Sequence, residues 1–207
     1  MNPADELQKL EDLRKSLLTA GMAALGGAGA PMFVLDMILI GALKRAVSLA
    51  SGLAVMIEKK NMVCARALLR MHMDTVLRLS AYEYVDDPEA VASAVLGGEH
   101  LRKFKSTEGK QLKDHYLVER LTAREPWGKT VYEYTSGYVH FSERQVFDAV
   151  AKLGTDEERT VHFSVSDSDE KYPESSWSEV AACFNRLTVL LKEQVERRGR
   201  AKRGTTT

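Results

Sequence analysis

Two runs of this 207-residue chain carry side chains that could act together. The first is Tyr132-x-x-x-Ser136-x-Tyr138-x-His140-x-Ser142. On a helix, Tyr132, Ser136 and His140 share one face. That places a hydroxyl and an imidazole one turn apart, a spacing that could hydrogen-bond. Such a pair can begin a nucleophilic dyad, which also requires a third group to orient the imidazole and a site for an oxyanion. The sequence identifies neither, and two other uses stay open: a buried polar knot joining helices, or contact with a ligand or phosphate.

The second run is Asn61 to Tyr84, NMVCARALLRMHMDTVLRLSAYEY. Apolar residues cover most of its helical circumference, and one charged ladder, Arg66, Arg70, Asp74 and Arg78, follows i, i+4 spacing. A helix this apolar belongs at the centre of a bundle. Its charges must then reach water, pair, or line a polar site, because an unpaired buried charge is costly. The ladder and the Tyr132–His140 face would each satisfy the other if they met. His140 is therefore expected to be buried beside Arg70 and Asp74.

Two weaker patterns stand beside these. Arg66 and His72 have five residues between them. Packing as a core histidine is the simpler use of His72. Basic residues cluster at Arg102, Lys103, Lys105, Lys110 and Lys113, and again at Arg197, Arg198, Arg200, Lys202 and Arg203. Either cluster could touch nucleic-acid phosphates or simply be solvated. Phe104 is the sole aromatic within the first cluster, too little for a base-stacking platform. No Gly-rich phosphate loop, HExxH or paired cysteine spacing occurs, and no cofactor or metal is implied. With 29 basic and 29 acidic residues, no global field would recruit nucleic acid or an acidic membrane. Cys64 and Cys183 sit inside apolar helical patterns and read as core packing in a reducing, cytoplasmic compartment.

Helices must position these groups. Asn2-Pro3 starts an amphipathic helix that ends near Ala24 at a Gly-rich turn. That turn and Asp36 break the uncharged run from Ser16 to Leu35, so it is not read as a membrane span. A second helix, from about Met32 to Lys59, has an apolar arc from Leu35 to Ile57 with Arg45 among the polar residues of its other half. The Asn61–Tyr84 helix returns antiparallel. Asp87-Pro88 opens a short helix closed by Gly97-Gly98, and further helices are expected over 111–123, 127–140 and 143–153. Thr160 to Ser166 alternates as a strand, with Leu101 to Lys105 as its candidate partner. Ser176 with Glu179 has capping-box spacing before a last helix. The expectation is a mainly α protein, a helical bundle with one small β-strand pair. It should form a single domain over 1–196, followed by a disordered basic tail over 197–207, which carries no large apolar residue.

Four segments in this order, LIGALKRAVSLASGL, NMVCARALLRMHMDTVLRL, LKDHYLVERL and VYEYTSGYVHFSERQVF, resemble a family of uncharacterised bacterial proteins. These share LLRxxxDTxLR and TSGYxHxS segments, and the likeness covers about residues 34 to 150. It carries no activity. It implies a helical fold with a polar cluster at Arg45, Arg70, Asp74, Arg78, Tyr132, Ser136 and His140. A cytoplasmic binding or interaction protein recognising a small anionic ligand or a partner is the function expected. The Arg66/His72 spacing resembles the HEPN ribonucleases, helical-bundle proteins of defence and toxin systems. In that family Arg and His cooperate at a dimer interface without metal, which implies the alternative of a homodimeric ribonuclease.

Overall fold

A computed structural model describes residues 2–153 and 159–204 of the chain. It is mainly helical, as the hydrophobic periodicity predicts. α1 (Pro3–Leu25) begins where Asn2 accepts the Ala4 N–H at 3.0 Å, with Pro3 in the first turn. It stops at Gly26, whose φ of 91° is open to glycine and costly for other residues. α2 (Val34–Glu58) returns antiparallel and buries Leu35, Leu39, Leu43, Ala46, Leu49, Leu53 and Ile57, the arc read from the sequence. It is long and apolar enough to cross a membrane by length and composition. The uncharged 16–35 run is the end of α1, the glycine turn and the start of α2.

α3 (Met62–Ser80) is the central helix, with Met62, Ala65, Leu69, Met73, Val76 and Leu77 all buried. Removing a side chain such as Leu69 would cost about 2–5 kcal/mol. A one-turn 3₁₀ helix (Ala81–Glu83) leads to α4 (Pro88–Leu96), capped by Asp87. α5 (Asp114–Arg124) and α6 (Gly128–Val139) form a helical hairpin on α3. Buried Glu125 clamps their turn to the last helix by accepting from Trp127 Nε1 at 2.9 Å and Arg186 Nε at 3.0 Å. Arg186 holds the Glu125 carboxyl below the usual carboxylate range, against the opposing effect of burial.

Three expectations require correction. α7 (Glu143–Asp148) is shorter than the helix read over 143–153, although its Ser142/Gln145 capping box is present. Val150–Leu153 is instead strand β1, antiparallel to β2 (Val161–Phe163). The strand partner is therefore local, not Leu101–Lys105. Leu101–Lys103 is a 3₁₀ turn, and only Lys105 forms a bridge, to Gln111. Closing the short connection costs less chain entropy than pairing across sixty residues of sequence. The alternating apolar face is also not a buried face: Val161, Phe163 and Val165 are 48%, 63% and 95% exposed.

The second correction is the tail. α8 runs from Glu174 to Gly204, so helix occupies 197–204 where disorder was expected; 205–207 lie outside the described residues. Its start follows Pro173 directly and leaves Ser176 inside the first turn rather than at the cap. Polar residues hold the tail. Asp36, fully buried, accepts from Lys202 Nζ at 2.7 Å, Arg198 Nε at 3.3 Å and the Phe33 N–H at 3.0 Å. Lys202 also donates to the Leu25 carbonyl, closing the last turn of α1. Glu89 accepts from Arg198 and from the Leu35 N–H, so two carboxylates face the start of α2, where the helix dipole favours them. Burial pushes the Asp36 carboxyl up; the Lys202 hydrogen bond, the Phe33 N–H and the two cations outweigh it and hold it low. Gly199 lies against Ala24, where a Cβ would come within 2.9 Å of the α1 backbone.

The third correction concerns Cys64, which is exposed; Cys183 is half-buried and packs against the core as expected, and both are free thiols.

Candidate functional site

Antiparallel packing of α6 on α3 brings the charged ladder against the Tyr132–Tyr138 run. Beginning at the N-terminal end of α3, buried Arg66 donates from one nitrogen to Tyr138 Oη at 2.6 Å and Tyr172 Oη at 3.1 Å. Its guanidinium lies 4.6–5.0 Å from the ring centres of Tyr172, Tyr138 and Tyr134. Asp148 stands 3.7 Å away and accepts from Tyr172 Oη at 2.6 Å. Burial opposes the Arg66 charge, but the surrounding tyrosines outweigh it and raise the arginine further. Burial likewise pushes Tyr138 well up and Tyr172 up to about 12, so both phenols stay protonated. Loop residue Asp169 brings Tyr172 here by accepting the Met62 N–H at 2.8 Å at the start of α3.

One turn along, half-buried Arg70 donates from Nε to Ser136 Oγ at 3.3 Å and stacks 4.0 Å from the centre of the Tyr132 ring. Ser136 in turn donates to the Tyr132 carbonyl. At the far end, Asp74 sits between Arg78 at 3.3 Å and Arg45 at 3.9 Å, and Arg78 also pairs closely with Asp114. Tyr132 Oη donates to Asp114 at 3.2 Å, which links this end back to Arg70. Six of the seven residues singled out from the sequence (Arg45, Arg70, Asp74, Arg78, Tyr132 and Ser136) therefore form one seam.

His140 does not join them. It is the C-cap residue of α6 and is exposed; its N–H donates to the Ser136 carbonyl at 3.4 Å and its carbonyl accepts from Gln145 Nε2 at 3.3 Å, both through the backbone of His140. The helix ends there because Ser142 must cap α7, and the extended backbone at 140 turns the residue out of the i, i+4 register. A Ser136–His140 dyad is not built. The rest of the TSGYxHxS segment has plain physical uses. Thr135 is buried and bonds back to Val131; Gly137 leaves room for Arg144, whose Cδ would lie 2.6 Å from an added Cβ; Ser142 Oγ donates to the Gly137 carbonyl. Arg144 then rests 4.7 Å from the Tyr134 ring centre.

His72 faces a different environment from Arg66. It is fully buried, stacked 4.1 Å from Phe184, with Nε2 3.0 Å from the Thr188 hydroxyl. Burial, helped by the Arg45 charge, lowers its pKa to about 3. It is the packed histidine, too enclosed to meet a phosphodiester.

Comparison with family models, with curated proteins and with solved structures finds no match to this chain.

Sequence reasoning missed Asp114, Asp148, Tyr134 and Tyr172 as members of the seam, and it named Tyr138 in the Tyr132–Ser142 run without placing it in the polar cluster. Asp114 carried one signal, an acid at the first position of a helix. The Tyr172 and Asp148 contacts arise from a loop crossing, for which periodicity offers no sign. Beyond Arg66 lies a cavity of about 270 Å³ between α3, α6 and α8, with Glu179 and Cys183 on its wall. Arg66 Nε is buried without a partner. Glu179 makes that cavity a poor place for an anion, and burial lifts the Cys183 thiol to about 11, which removes it as a nucleophile near neutral pH.

Proposed function

We propose that the α3–α6 seam recognises an anionic group, with Arg70 as its central cation, and that the protein acts by binding rather than by catalysis. The observation that carries this reading is charge. Among the described residues every other α3 cation of the seam has a carboxylate within 4.0 Å: Arg66 has Asp148, and Arg78 has Asp74 and Asp114. Arg70 has a hydroxyl and a tyrosine face. Arg144, packed against Gly137, also rests on a tyrosine. A guanidinium held in place by stacking has its fork pre-organised for a carboxylate or phosphate. Ser136 and Tyr132 position Arg70, while Arg45 and Arg78 hold Asp74 away from it.

Calorimetric titration with inorganic phosphate and with malate tests the proposal. Saturable binding of at least one anion is expected, weakened tenfold or more by Arg70→Gln and much less by Arg78→Gln, whose charge is already paired. Equal binding by wild type and Arg70→Gln, or no binding of either anion at millimolar concentration, would contradict it.

A further inference from the structure

A second cavity, sharing no residue with the seam, lies where α2, α4, the Ala81–Glu83 turn and α8 meet. Its volume is about 270 Å³. Leu35, Leu39, Leu79, Tyr82 and Pro88 supply apolar walls. Gln194, 6% exposed, lines it as well. Gln194 Nε2 donates to the Val76 carbonyl at 3.3 Å, while Oε1 is buried and meets no donor. Exchanging the amide atoms would set two acceptors against each other at Val76, so the orientation is fixed by chemistry. A buried acceptor without a donor costs about 1–3 kcal/mol. Here it belongs to a side chain that also borders open space.

The mouth has its own logic. Arg197 is spent on Glu83, with contacts of 2.9–3.2 Å, and Arg198 on Asp36 and Glu89. The basic residues at the rim are balanced by acids, so nothing there selects a charged molecule. A dry cavity of roughly 150 Å³ takes benzene, so this one has room for a second fused ring.

We propose that this cavity is a binding site for a neutral, mostly apolar molecule of bicyclic size that carries one N–H or O–H donor for Gln194 Oε1. The walls provide the affinity through buried apolar area. The single acceptor provides selectivity, because a ligand lacking the donor leaves Oε1 unsatisfied while one bearing it does not.

Two isosteres separate these contributions. Indole presents an N–H where benzofuran presents an oxygen. Ligand-observed NMR titration of the full chain should give indole an affinity at least tenfold above that of benzofuran. In Gln194→Leu the preference should vanish while benzofuran binding persists, which also shows that the cavity of the variant is folded. Ala201→Trp, at the exposed rim, should abolish both by filling the mouth. Equal affinity of the two ligands for wild type, a preference that survives Gln194→Leu, or no binding of either at millimolar concentration would overturn the proposal.

Discussion

The Asp36 cluster and the Arg70 seam are both built from arginines and carboxylates on facing helices, and they differ in their charge count. Around Asp36, two cations meet two acids, and the central carboxylate is fully buried. Along the seam, five guanidinium groups (Arg45, Arg66, Arg70, Arg78 and Arg144) meet three carboxylates among the described residues. Stacked tyrosines take the place of the missing acids. A balanced, buried knot fixes the ends of four helices, α1, α2, α4 and α8, and leaves nothing to recruit. An unbalanced, half-buried row leaves a cation available. The same residue types thus serve fold in one place and, in the function proposed above, recognition in the other, and the difference in charge count distinguishes them.

The largest expected effect lies in the balanced knot. Asp36→Asn leaves Lys202, 5% exposed, and Arg198 without their shared carboxylate. Breaking a buried pair from one side costs about 3–5 kcal/mol. Denaturant unfolding should show a loss of that size. Deleting 197–207 should lower the melting temperature by several degrees for the same reason, and an unchanged melt would mean that α8 is held without these charges.

Next comes a pH effect from the core between the two clusters. His72 is neutral and buried, with its pKa lowered from 6.5 to about 3. The unfolded chain therefore binds a proton between those values that the folded chain does not. The stability His72 provides is complete above about pH 6.5 and falls as pH drops towards 3, with a slope of up to about 1.4 kcal/mol per pH unit. Urea unfolding from pH 7 to pH 4 should show this slope, and His72→Gln should flatten it. A slope unchanged in the variant would assign the acid sensitivity to carboxylates instead.

The smallest effect sharpens the edge of the seam. His140→Ala should change stability by less than about 0.5 kcal/mol, as exposed substitutions do, and leave anion binding intact. Ser136→Ala should weaken anion binding by loosening Arg70. A large effect at His140 would bring it back into the site.

How far the sequence could be read follows from the range of the forces involved. The apolar arc of α2, the Asn2 cap and the central place of α3 are periodic or local features, and they are legible from residue types alone. Meeting of the ladder with Tyr132 and Ser136 was also legible, because two polar faces on apolar helices have few other ways to be satisfied. The tail was not. Arg198, Gly199 and Lys202 read as solvated and disordered, yet each is explained by a neighbour more than 100 residues away: Glu89, Ala24 and Asp36. Asp36 was the available clue, a charge just inside an apolar helix that had to find a cation. The strand was visible and its partner was not, since alternation reports backbone geometry while pairing depends on which segment lies nearest.

Anion binding at the seam requires Arg70 to be the available cation. Its Nε–H and that of Arg198 can be followed by proton–nitrogen NMR while phosphate is added at constant ionic strength. A saturable shift at Arg70, with Arg198 unmoved, is the predicted result. No saturable shift at Arg70, or an equal one at Arg198, would contradict the distinction between the two clusters and the anion-binding function drawn from it.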